Sequence, residues 1–115
     1  MLTIQADPTP QVTRDVQTLI ADFAARHESA VMSEAYRAWY NSTPPPWRGF
    51  MGGQLGSLGP LEYLGSEQLG GKSIWGAEPI ERLVYYAAPS GPGRAYLTIG
   101  ITSEGKIARL DYIPR

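Results

Sequence analysis

Acid–base chemistry would fall to a single histidine in this sequence, because His27 is the only one in the chain. A histidine base needs a partner that orients its ring, and the neighbours Arg26 and Glu28 point to other sides of a helix. We therefore expect His27 to lie near a helix C-terminus, where the helix dipole favours a histidine.

Tyrosine hydroxyls are the most numerous aromatic hydrogen-bonding groups, with 7 tyrosines in 115 residues. Those in the second half of the chain are Tyr63, Tyr85, Tyr86, Tyr96 and Tyr112. Tyrosine packs well across neighbouring strands with its hydroxyl at the rim. The same hydroxyls would donate hydrogen bonds to a ligand if they pointed into a cavity, and the sequence leaves both roles open.

Metal and cofactor sites lack the residue types they would need. The chain has no cysteine, and one histidine leaves only carboxylates to complete a metal shell. The glycine-rich stretch 49–59 lacks the arrangement of a phosphate-binding loop, and no serine lies in a nucleophile elbow. We predict no metal site and no cofactor, and we assign no catalytic residue.

Arg82 is an informative charged residue, because it alternates with Val84 and Tyr86 along an apolar strand face. A cation on such a face needs an anionic ligand or a carboxylate from a neighbouring strand. The available carboxylates are Glu62, Glu67 and Asp111. The residues that we predict to line a binding pocket are Phe23, Trp39, Tyr63, Arg82, Tyr86 and Tyr96.

Three helices are expected to carry the first part of the pocket. Thr9-Pro10 suits a helix start, and an apolar stripe from Val12 to Phe23 predicts a helix over about 10–27. A second helix, with Ser29 as its cap, should run to about Tyr40, before the prolines at 44–46. A short helix is expected over 47–57, although its glycines weaken it.

The second half of the chain changes to the period of strands. Alternating and β-branched residues predict strands over 61–69, 80–88, 95–102 and 107–113, with turns at 89–93 and 103–106. The connection 70–79, which holds Trp75, is long for a hairpin loop. Helices before antiparallel strands indicate an α+β fold. We expect one domain over 1–115, in which helices at about 10–57 pack on a curved four-stranded antiparallel sheet at about 60–113.

The motifs GQLGSLGPLEYL at 53–64 and EGKIARL at 104–110 resemble those of the nuclear transport factor two-like superfamily, which has the cystatin-like cone fold. The likeness extends over about 49–113 and is greatest to small bacterial modules, with Glu104 in the place of the usual turn aspartate. The resemblance implies a cone with an apolar pocket at its open end. That superfamily includes isomerases, dehydratases and binding subunits, so the fold does not fix the activity.

Three functions follow as alternatives. The first is a non-catalytic domain that binds a small apolar molecule or an amphipathic acid, or that docks on a partner protein. The second, which the resemblance implies, is an isomerase or dehydratase that uses a carboxylate and tyrosine hydroxyls; the helical carboxylates weighed for this role are Asp22 and Glu34. The third is a structural domain that forms a homodimer through its sheet.

Charge and hydropathy exclude other classes of partner. The 10 Lys+Arg and 11 Asp+Glu give a net charge of −1, which offers no electrostatic reason to bind nucleic acid or an anionic membrane. No apolar run approaches the roughly 20 residues of a membrane span, and the first residues do not resemble a secretory signal. We therefore expect a cytoplasmic protein.

Overall fold

Three helices pack on a four-stranded antiparallel sheet in the computed structural model, which describes residues 10–72 and 78–114. The helices are α1 (Pro10–Ala24), α2 (Glu34–Ser42) and α3 (Pro45–Gly56). The strands are β1 (Glu62–Lys72), β2 (Ile80–Ser90), β3 (Gly93–Ile101) and β4 (Ile107–Pro114), and they lie side by side in chain order. The predicted α+β fold is confirmed.

The first helix buries the predicted stripe but ends three residues earlier than expected. Val12, Val16, Leu19 and Phe23 are all buried. Arg26 adopts a left-handed φ of 64°, and the N–H of His27 donates to the carbonyl of Asp22 at 3.1 Å. This bonding closes the helix in a Schellman motif. The predicted end at residue 27 was wrong because the left-handed residue of this motif is Arg26. Glycine is the usual residue at that position, and the sequence has none there.

The second helix begins later than predicted. Ser33, and not Ser29, is the N-cap of α2, and its Oγ accepts a hydrogen bond from the N–H of Tyr36 at 3.2 Å. Residues 30 and 31 form a turn in which the N–H of Met32 donates to the carbonyl of Ser29 at 3.3 Å. Met32 then forms a parallel bridge with Ile107 at the start of β4. That long-range contact draws the chain away from helical geometry and overrides the predicted start near Ser29.

The third helix forms despite its glycines because it packs closely on α1. It begins at Pro45, two residues before the predicted start, since a proline in the first helical turn loses no hydrogen bond. Gly52 lies directly against the carbonyl group of Phe23, where a β-carbon would overlap the backbone. The glycine therefore sets the short distance between the two helices.

The sheet turns one face to the helices. Cross-strand neighbours Tyr86, Leu97 and Tyr112 lie on the helix-facing side, as do Val84 and Ile99. This settles a question that the alternating pattern of β2 left open. The core is formed by this face together with the buried stripes of the three helices.

Two of the predicted turns and loops are partly strand. Strands β2 and β3 continue to Ser90 and Gly93, so the turn between them has two residues and not the predicted five. The strand β1 extends to Lys72 and includes the first residues of the predicted 70–79 connection. Residues 73–77, with Trp75, lie outside the described part of the chain.

Candidate functional site

An apolar cavity of about 500 Å³ lies between the helices and β4. Helix α1 packs on α3, and α2 packs on β4, so the cavity opens where these two pairs meet. The helices contribute Phe23, Tyr36, Trp39, Phe50, Met51, Gln54 and Leu55 to its wall. Strand β4 contributes Leu110 and Tyr112.

Two polar side chains in this wall bond to one another. The hydroxyl of Tyr112 donates to Oε1 of Gln54 at 3.3 Å, which ties β4 to α3 across the cavity. Burial raises the pKa of Tyr36 far above its usual value, outweighing a hydrogen bond to the backbone of Leu110, so this phenol stays neutral. The described wall contains no carboxylate, histidine or cation. Its chemistry therefore suits binding of an uncharged apolar group with one hydrogen-bonding atom.

A smaller cavity of about 310 Å³ adjoins the first and is charged. The two share Tyr36, Trp39 and Leu110, and the rings of the two aromatic residues are stacked with centroids 5.5 Å apart. Glu78, Arg109 and Asp111 line the smaller cavity.

The charged groups of the smaller cavity have local partners. Nε of Arg109 donates to Oδ1 of Asp111 at 3.0 Å. The carboxylate of Glu78 accepts a hydrogen bond from Oγ of Ser33, the residue that caps α2. The α2 cap therefore fixes Glu78 beside the aromatic pair.

The structure brings together two of the six predicted pocket residues, Phe23 and Trp39. Tyr86 is fully buried in the core, and its hydroxyl lies 2.9 Å from Oγ1 of Thr13. Tyr63 packs edge-on against the Tyr86 ring. Tyr96 lies on the outer face of the sheet and is 38% exposed. None of these three tyrosines is in the wall of either cavity.

Arg82 also lies away from both cavities, beside Gln68 on β1 and Ile101 on β3. The three carboxylates considered as its partners are engaged elsewhere. Glu62 pairs with Arg94, Glu67 accepts a hydrogen bond from Tyr85, and Asp111 pairs with Arg109. Neither of the two cavities therefore places Arg82 where it would face an acid, and binding of an acid stays a prediction.

Sequence reasoning missed most of the wall contributed by α3 and β4. The spacing of Phe50, Met51 and Leu55 predicted a helix with an apolar face. That pattern is the sequence feature that indicates the α3 part of the wall. Gln54 and Tyr112 meet only through tertiary packing, 58 residues apart in the chain, and no sequence pattern indicates their contact.

His27 is at the end of α1, as predicted, and lines neither cavity. Its Nε2 lies 3.5 Å from Oδ1 of Asp22, and its side chain is 59% exposed. Within 10–72 and 78–114, no three side chains that could ligate a metal come together. The helices described there are all too short or too polar to cross a membrane.

The outer face of the sheet mixes apolar and charged side chains. Tyr96 and Ile113 are cross-strand neighbours there, and both are exposed. The ion pair between Arg94 and Glu62 crosses the same side of the sheet. A homodimer through this face stays a prediction.

Comparison of the chain with protein-family models, with characterised proteins and with solved structures finds no match. The fold and the two cavities are therefore the observations from which a function can be inferred.

Proposed function

We propose that this chain is a non-catalytic domain that binds a small apolar molecule in the larger cavity. The cavity's volume lies within the roughly 300–1,000 Å³ of small-molecule sites, which are typically apolar with a few placed polar groups. The observation that carries the proposal is its uncharged aromatic and aliphatic wall with the single Tyr112–Gln54 pair. Helices packed on an open sheet around such a cavity also support membership of the nuclear transport factor two-like superfamily.

Binding is favoured over an isomerase or dehydratase by the position of the carboxylates. Such an enzyme needs a carboxylate base close to a hydrogen-bond donor inside the pocket. The hydrogen bond between Tyr85 and Glu67 joins these two groups at 3.0 Å, but it lies on the exposed outer face of the sheet. Of the helical carboxylates, Asp22 is beside His27 at the end of α1, and neither it nor Glu34 lines a cavity. Glu78 and Asp111 line the smaller cavity with Tyr36, but Glu78 accepts a hydrogen bond from Ser33 and Asp111 accepts one from Arg109, so both carboxylates already have partners.

The test uses a neutral fluorescent probe, N-phenyl-1-naphthylamine, and a pair of matched tryptophan variants. Trp39 is 48% exposed and lines the cavity, whereas Trp47 is 61% exposed on α3 and does not. We expect Trp39→Ala to weaken binding of the probe by about tenfold or more, because it removes much of one aromatic wall. Trp47→Ala should bind like the original protein. Equal affinity in all three proteins, or no binding by any of them, would contradict the proposal.

A further inference from the structure

The charged residues in the described walls of the two cavities all belong to the smaller one. The larger cavity, which shares the stacked Tyr36–Trp39 pair with it, has no charged residue in its described wall. The smaller cavity contains Glu78, Arg109 and Asp111. A molecule that occupies both cavities would therefore have an apolar body and a polar head.

The sign of that head follows from how the three charges are balanced. Arg109 and Asp111 are within hydrogen-bond distance and largely neutralise each other. Glu78 bonds to the neutral hydroxyl of Ser33, and it forms no ion pair within the described ranges. The N-terminus of α2 contributes about half a positive elementary charge. The smaller cavity thus keeps a net negative charge.

The aromatic wall also favours a positively charged head. The faces of tryptophan and tyrosine attract cations, and organic ammonium groups are commonly held against such rings. Trp39 and Tyr36 provide these rings in the wall that the two cavities share, and Glu78 lines the same small cavity.

We propose that the ligand is an amphiphilic organic cation, with its apolar body in the larger cavity and its ammonium group in the smaller one beside Glu78. This inference rests on the proposed binding function and specifies its ligand class. It differs from the amphipathic acid expected from Arg82, because that arginine lies in neither cavity.

The experiment compares decyltrimethylammonium, decanol and decyl sulfate by calorimetry, with the two ionic probes below their micelle concentrations and decanol below its solubility limit. These probes share one chain and differ in the charge of the head. We expect the cation to bind about tenfold more tightly than decanol, and the anion to bind least. Raising the salt concentration should weaken binding of the cation and leave decanol unchanged.

A variant pair assigns the preference to Glu78. Glu78→Gln removes the charge but keeps an oxygen that can accept the hydrogen bond from Ser33, so the α2 cap is retained. It should lower affinity for the cation about tenfold and leave decanol unchanged. Glu104→Gln, in the exposed turn before β4, is the control and should change neither affinity.

The outcomes separate the two proposals. If decanol binds and the three probes show no preference for the cation, the ligand class is wrong and the binding function stands. The same conclusion follows if Glu78→Gln folds and retains the preference. If none of the three probes binds, both proposals fail. If Glu78→Gln does not fold, the order of affinities in the original protein and its salt dependence decide the matter.

Discussion

Tyr40 has an uncompensated polar atom in the middle of the core. The side chain is fully buried, and its ring stacks on Phe23 with centroids 4.9 Å apart. The hydroxyl has no hydrogen-bond partner among the described residues. Burial raises the pKa of Tyr40, while the guanidinium of Arg48 over the ring acts in the opposite direction. The ring stabilises the core, and the hydroxyl reduces that stabilisation.

Tyr40→Phe should therefore keep or raise the free energy of unfolding, by up to about 1 kcal/mol, because it removes an unsatisfied buried hydroxyl. Tyr86→Phe is the matched control, since the Tyr86 hydroxyl is close to Oγ1 of Thr13 and its loss should cost about 1 kcal/mol. Urea unfolding curves measure both changes. A clear loss of stability in Tyr40→Phe would show that its hydroxyl has a partner.

Tyr36 should make the protein sensitive to alkali. Its pKa is raised in the folded state, chiefly by burial, so above the ordinary tyrosine pKa of about 10 the unfolded chain loses a proton that the folded chain keeps. Stability from this residue is complete below pH 10 and falls above it by about 1.4 kcal/mol per pH unit. Tyr36→Phe should reduce the fall in unfolding free energy between pH 10 and 11 by about 1 kcal/mol, because the unfolded phenol is only half ionised at pH 10. Equal slopes in the two proteins would contradict the burial of this phenol.

At the scale of elements, the contact between α1 and α3 depends on one glycine. A methyl group at Gly52 would overlap the carbonyl of Phe23, whereas one at Gly53 would meet nothing within 4 Å. The two glycines are adjacent in the same helix, so replacing either with alanine brings the same gain in helix propensity. They differ in whether α1 lies against the position.

Gly52→Ala should destabilise the protein by about 1 to 3 kcal/mol, because the helices must separate to admit the methyl group. Gly53→Ala should stabilise it by about 0.5 to 1 kcal/mol, through the better helix propensity of alanine. Thermal unfolding of the two variants gives the comparison. Equal effects of the two substitutions would mean that the helices do not approach each other closely at Gly52.

The elements that the sequence predicts well are those set by local patterns. The stripe from Val12 to Phe23 and the alternation of β3 are repeated signals, and both elements formed close to where they were expected. The C-terminal end of α1 and the start of α2 were not predicted, because they depend on a left-handed Arg26 and on the distant bridge from Met32 to Ile107.

The candidate site was predictable only in part for a related reason. Phe23 and Trp39 follow helical spacing and were expected in the pocket. Arg82 and Tyr86 share one face of β2, and that face runs from the core to the edge of the molecule. The alternation of side chains along a strand shows which residues share a face, but it does not show where along that face a cavity lies. The Tyr112–Gln54 bond joins elements that approach each other only after folding.

At the scale of the whole molecule, the helices and the sheet form one core. Phe23 packs its ring on Tyr36 and Tyr40 and belongs to the same buried cluster as Val84 and Ile99 on the sheet. Because the helical layer and the sheet bury their apolar faces against each other, we expect them to unfold together.

Phe23→Ala should lower the free energy of unfolding by about 3 to 5 kcal/mol through the void that it leaves. Circular dichroism follows the whole backbone, and fluorescence includes Trp39 and Trp47 in the helices, so the two signals should give one coincident transition in both proteins. A fluorescence transition that shifts while the backbone signal does not would show that the helical layer unfolds alone.

The two edges of the open sheet differ from ordinary strand edges in a way that bears on solubility. At β4, Ile107 donates its N–H to Val31 and accepts from the N–H of Ser33. At β1, the register with β2 shifts twice, near Gly65 and again before Lys72. A β4 edge whose first residue is already paired and an irregular β1 edge are both poorer templates for a strand from another molecule than a free, regular edge. The chain should consequently resist edge-to-edge aggregation at high concentration, although its sheet never closes on itself.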